Sequence, residues 1–310
     1  MKKSTIPSRS YTLLVIFLAV SICSCKSGSK QADSPADTSK KSVDTSPKVT
    51  AVESSDLASL LPSNTGTYDP TKFFTPKAFM KNVAGKPCPS QGEGAEDAGA
   101  DNPFVPKYDP ILNEYKNRDL PPNTYTKVDL AKLISTIPPA ITYKEAVLES
   151  DWDASVKQTM EKYQSQGIEV DGYFIYAKPE KKESCNCGDT KHTDYHTWIS
   201  SKPLSMNAPD NPQEDKSFAI VAEFSPFMLG ADHKSEHPHW NDKVVNEIAT
   251  KHLKVRVKGW LTWDKQHEAQ LHPTAQNPYA IRATLWEIHP IHEVQVQMEN
   301  GNWVELDEYQ

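Results

Sequence analysis

The chain has 310 residues, enough for two modest domains, and sets 34 Lys and Arg against 41 Asp and Glu. No basic block interrupts this mildly acidic balance, which excludes strong electrostatic capture of nucleic acid.

Residues 1–24 read as a secretory signal: a basic start, an apolar run from Tyr11 to Val20, then small residues before a cysteine. That run is shorter than the ~20 apolar residues of a membrane span. The end "ICSC" resembles a bacterial lipobox, which implies cleavage before Cys25 and lipid on its thiol; plain secretion is the alternative. Residues 25–65 are rich in Ser, Asp, Lys, Thr and Pro and lack the apolar content to offset ordering entropy, so they are expected to be a disordered tether. The expected location is the bacterial cell envelope, facing the periplasm or the cell surface, with the membrane engaged through the lipid anchor.

If Cys25 carries lipid and Cys23 leaves with the signal, Cys88, Cys185 and Cys187 remain. A disulfide from Cys88 to Cys185 or Cys187 is one reading of this odd set. A metal site built on "CNC" is the other.

Residues 66–125 carry many Pro, Gly and Asn and read as an extended arm, with one helical turn in "PILNEYKNRDLPP". Residues 126–166 read as a helical segment packing on the C-terminal domain. "KVDLAKLIS" is short. Thr142 to Gln166 is longer, with Thr142 and Glu145 as a capping box, Trp152, Val156, Met160 and Tyr163 on one stripe, and Gly167 as its end; Ser150 and Asp151 are a point where it could split.

From residue 167 to 310 the pattern turns β-branched and aromatic. "IEVDGYFIYAK", "DYHTWIS" and "SFAIVAEFS" predict three strands. "WNDKVVNEIATKH" predicts a helix capped by Asn241 or Asp242. "KVRVKGWLTW" and "IRATLWEIHPIHEVQVQM" predict two more strands, and "WVELDEY" an extra one after a tight turn. Three strands, a helix, then two strands is the order of an OB-like five-stranded barrel, in a chain that is mainly β with α (α+β). An open α+β sheet is the rival. Gly172 and Gly259 suit the bends of a small barrel.

The stretches "LNEYKNRDLPP", "ESCNC", "DYHTWI", "VAEFSP", "VRVKGWLTWDKQH" and "RATLWEIHP" resemble a family of uncharacterised bacterial secreted and lipoprotein-type proteins with an OB-like domain. The resemblance covers about residues 110–298. It implies the barrel and the secreted location, and no activity.

All ten histidines lie at or after His192, so any imidazole chemistry belongs to the barrel. Alternation puts Asp194, His196 and Trp198 on one face of strand two, Glu223 on the matching face of strand three, and Glu287 with His289 on one face of strand five. His196, Glu223 and His289 then form a two-His-one-carboxylate set for a divalent metal such as zinc, with Asp194 holding an imidazole from behind and Glu287 as a catalytic base. The competing reading is a structural polar network in which Arg282 pairs Glu287 or Glu223. Trp198, Trp260, His267 and Arg282 are candidate ligand-binding residues, and the tract "ADHKSEHPHW" a weak metal loop.

Three functions compete. One is a lipid-anchored binding module for a small ligand, glycan or partner protein. The second is a metal-dependent, nuclease-like hydrolase. The third is a structural envelope protein. A monomer is expected.

Overall fold

The computed structural model describes residues 61, 68–93, 108–136, 148–204, 216–232, 236–272 and 280–310. The signal, Cys25, nearly all of the tether, the Thr142–Glu145 box and His233 lie outside the described residues. No helix among those described is long and apolar enough to cross a membrane.

Among the described residues, seven strands build the fold: β1 (Tyr125–Lys127), β2 (Gly167–Pro179), β3 (Tyr195–Ser200), β4 (Ala219–Phe224), β5 (Lys254–Trp263), β6 (Trp286–Gln297) and β7 (Trp303–Glu305). β2 pairs β3, β3 pairs β4 and β5 pairs β6, all antiparallel, while β4 pairs β6 in parallel. β2 also pairs β5 antiparallel, which closes the five strands into a barrel of OB order. Closure works because β2 is long: its first half, Gly167 to Tyr173, faces β5, and its second half, Tyr173 to Pro179, faces β3. β1 joins β2 and β7 joins β6 outside the barrel.

Apolar alternation fills the inside. Ile199, Ile220, Ala222, Val255, Val257, Leu261, Trp286, Ile288, Val294 and Val296 are buried in one cluster. The wall is tight where β5 passes the His289-Pro290 corner of β6. Two residues of β6 stand opposite Trp260 there, and a Cβ on Gly259 would come within 2.4 Å of the Pro290 carbonyl oxygen.

Among the described residues, five α-helices surround the barrel: α1 (Pro110–Lys116), α2 (Leu130–Ser135), α3 (Ala154–Gln164), α4 (Pro226–Leu229) and α5 (Asp242–Thr250). Asn241 caps α5 by accepting from Val244 N at 3.1 Å, and Val245, Ile248 and Ala249 join the core. Asn246 of α5 bonds both backbone groups of Ala177 at 2.8 and 2.9 Å, standing in for a strand partner beside β2.

The long helix expected from Thr142 is shorter. A 3-10 turn, Glu149–Asp151, precedes α3, which starts at Ala154, so the chain divides at the Ser150–Asp151 point. Trp152, Val156, Met160 and Tyr163 are all buried, as the stripe predicts. Gly167 is no helix end: it opens β2 beneath Pro122. The arm is less extended than its composition suggests. Asp109 caps α1 through Ile111 N at 3.0 Å and Leu112 N at 3.2 Å, with Pro110 in the first helical position.

Candidate metal centre

β4 is buried on both faces. Its inner face meets the barrel core. Its outer face, with those of β3 and β6, lies under the arm, α1 and the loop before β3. Register pairs His196 with Glu223 and Val221 with Glu287. Alternation then places His196, Glu223, Glu287 and His289 together outside the wall, opposite Ile288 and Trp286.

Glu223 lies between two imidazoles. Its Oε1 is 3.4 Å from His196 Nδ1, and its Oε2 is 3.2 Å from His289 Nδ1. His289 Nε2 is 3.8 Å from Asp194 Oδ1. Asp194, Glu223 and His289 each offer a ligand atom, all within 4.8 Å of one another. Asp194 and His289 have no exposed surface and Glu223 has 1%. Even so, Asp194 Oδ1, Glu223 Oε2 and both His289 nitrogens lack an aligned hydrogen bond. Unmatched polar atoms at such depth are costly.

The expected ligand set is thus partly rearranged. Glu223 and His289 stand where alternation puts them. Asp194, expected behind an imidazole, is among the donors instead. It precedes β3, and the loop turns it inward, with Asn186 Nδ2 donating to its Oδ2 at 2.5 Å. His196 stands beside the group. Its Nδ1 is 3.2 Å from Glu180 Oε1, and its ring stacks on Trp198 at 4.4 Å.

Glu287, the expected base, is tied to Arg282 Nη1 at 2.5 Å and lies 3.9 Å from Lys116 Nζ. Burial and Asp264 push its carboxyl up, but Lys116 and Arg282 outweigh them and hold it below the usual range. Lys116 also pairs Asp264 at 2.6 Å, and His267 Nδ1 approaches Asp264 at 2.7 Å. Asp264, His267 and Glu287 also have metal-like spacing, but here side-chain cations already occupy it. This part of the face is an ion-pair network.

The other binding candidates are built into the wall. Trp260 donates to Leu120 O at 3.0 Å and carries the Arg118 guanidinium over its ring at 4.5 Å. Trp198 donates to Ile281 O at 2.9 Å. Both rings are buried, as is Arg282, so none of the three offers an open platform. The histidine tract is engaged as well: His237 meets Asp307 Oδ2 at 2.8 Å and His239 meets Leu306 O at 3.1 Å.

The cover over the site comes from residues that alternation does not reveal. Asn113, Lys116 and Asn117 share one face of α1 and its end. Asn113 Nδ2 donates to Gln91 O and Ser184 Oγ, and Asn117 Nδ2 to Ser90 O and Cys185 O, at 2.8–3.2 Å. Cys88 and Cys187 form a disulfide that staples the arm to the loop, leaving Cys185 free and buried. The i, i+3, i+4 spacing of those polar residues in "LNEYKN" is the signal that could have exposed them.

Opposing charges set the protonation of the cluster. Burial alone would lower His289, but Glu223 outweighs it and pushes the imidazole up to about 10. Burial alone would raise Glu223, yet His289 and His196 hold it well below the usual carboxylate range. Burial, then Glu183, push Asp194 well above that range. In this state a proton on His289 supplies positive charge that a divalent ion would otherwise supply.

His292 stands apart and tests a different point. Its Nε2–H donates to Arg118 O at 3.1 Å, and burial drives it from 6.5 down to about 4. The folded value lies below the unfolded one, so protons favour unfolding. The stabilisation is complete above pH 6.5 and is lost as pH falls toward 4. Its full size is roughly 3 kcal/mol. His292→Gln is expected to flatten the loss of stability over that window relative to the parent chain, read by urea unfolding at stepped pH. Parallel profiles would refute it.

No family model matches the chain, and comparisons with curated proteins and with solved structures find no match.

Proposed function

We propose that this chain is a lipid-tethered cell-envelope protein whose OB-like barrel holds a divalent metal, zinc by preference, on its outer face. The observation that carries the reading is the set of fully buried donors on Asp194, Glu223 and His289 that lack aligned hydrogen bonds. Donors at 2.0–2.3 Å from a tetrahedral ion stand roughly 3.3–3.8 Å apart. One ligand atom from each of Asp194, Glu223 and His289 lies within 4.8 Å of the others, an upper bound that stands close to that range.

The place also fits. OB barrels bind ligands on the face of their second and third strands and on the adjoining loops. Here β3 and β4 form that face, and the chain's own arm covers it. A metal there would tie together the loop before β3, the β4 wall and β6. Burial of every donor favours this closed centre over a hydrolytic one, which keeps a position open for water and substrate.

Elemental analysis of the purified full chain tests the reading. About one or more equivalents of metal are expected, lost in His289→Ala and kept in His292→Ala. A metal-free parent chain that stays metal-free after incubation with zinc would end it. The tether part of the reading rests on the "ICSC" motif. Replacing Cys25 with Ser should move the protein from the membrane to the soluble fraction; persistence on washed membranes would count against the anchor.

A further inference from the structure

We infer that Cys185, with Glu183, ligates metal on the far side of Asp194, so the centre takes a thiophilic ion. This rests on the metal centre proposed above.

The Asp194 carboxylate faces two ways. Oδ1 looks toward His289 Nε2 at 3.8 Å. Oδ2 looks toward Cys185 Sγ at 3.9 Å, and that sulfur is 3.3 Å from Glu183 Oε2. Glu183, Cys185 and Asp194 bring one donor atom each within 4.8 Å of the others, a second group that shares Asp194 with the first. Asn186, whose Nδ2 donates to Asp194 Oδ2, has no exposed surface and its own Oδ1 lacks an aligned hydrogen bond, a separate sign that the polar atoms around this group lack a partner.

The surroundings of Cys185 suit a ligand and not a packing residue. It is 2% exposed, yet carboxylates approach its sulfur. A cysteine kept as a small hydrophobe sits among apolar groups. Its neighbour two positions on, Cys187, takes the disulfide to Cys88, and Cys185 is left as a thiol. Asn117 holds the Cys185 carbonyl at 2.8 Å, and Asn186 holds Asp194 Oδ2, so the backbone and the shared carboxylate are both positioned.

The charges point the same way. Without metal, burial, Glu183 and Asp194 push the Cys185 thiol well above its ordinary value, and burial raises Glu183 to about 7. A divalent ion removes the repulsion that keeps those protons in place. Ligation releases the thiol proton to solvent and forms one metal–sulfur bond, with no change of oxidation state. Thiolate beside imidazole and carboxylate selects zinc or cobalt over magnesium or calcium.

Titrating the full chain with cobalt(II) alone tests this. Binding should bring an intense sulfur-to-cobalt charge-transfer absorption in the near ultraviolet. That band should vanish in Cys185→Ser, while cobalt still binds through His289. Cobalt binding without the band, or a band that survives Cys185→Ser, overturns the inference and leaves the metal centre standing. No cobalt binding at all overturns the metal centre itself. If Cys185→Ser fails to fold, Glu183→Gln decides: cobalt binding weakened by more than about tenfold supports the inference, and unchanged affinity overturns it.

Discussion

Replacing Cys88 with Ser is expected to cost this protein about 4–5 kcal/mol of stability on the chain-entropy model of loop closure. The disulfide joins residues 99 apart in sequence, so its loss frees a large loop in the unfolded chain. The folded side loses something too. Cys88 and Cys187 pack with Met80 and Phe227 in a small separate core, the one that fixes the arm to the loop before β3. A loss this large is a substantial part of the 5–15 kcal/mol that holds a typical domain together. Urea unfolding of the variant and of the parent chain checks it. A change under about 1 kcal/mol would mean that the arm is held by Asn113, Asn117 and Lys116 without the staple.

Arg118→Met should cost about 3–5 kcal/mol, because several buried acceptors lose their donor at roughly 1–3 kcal/mol each and methionine packing offsets part of that loss. The guanidinium has no exposed surface. Its donors reach Tyr115 O at 2.6 Å, Tyr68 Oη at 3.0 Å, Gln164 O at 2.5 Å and Thr262 Oγ1 at 2.7 Å. It also stacks over Tyr115 and Trp260. One side chain therefore joins the arm, α1, α3 and β5. Methionine fills much of the volume but leaves those acceptors buried and unpaired. Arg118→Lys should recover only part of the loss, because an ammonium lacks the planar fork. Equal stability of the methionine variant and the parent chain would contradict this account.

The barrel was legible because its signals are local. Val255, Val257, Leu261 and Trp263 alternate on either side of Gly259, and β5 runs over the expected residues. Asn241 before an apolar helical face placed α5. β6 was expected from Ile281 but starts at Trp286. Apolar alternation continues upstream of Trp286, but a tertiary demand overrides it: Arg282 bends inward to Glu287 and Gln270.

The site was half legible for the same reason. Strand alternation brought Glu223, Glu287 and His289 to one face. It could not say what lies above that face. Lys116 and Asn117 come from an arm with weak apolar periodicity, and their contacts span scores of residues. Asp194 sits just before β3, where a loop, and not a pleat, aims the side chain, so alternation alone does not fix its orientation.

Anomalous scattering from crystals of the full chain at the zinc edge tests the metal centre most directly. The account predicts a peak beside His289 and Asp194, within bonding distance of at least one oxygen of Asp194 or Glu223, in protein purified without added chelator. A zinc-soaked crystal with no anomalous peak there, and with His289 hydrogen-bonded to Glu223 and Asp194 instead, would contradict it and leave a purely structural polar network on the barrel wall.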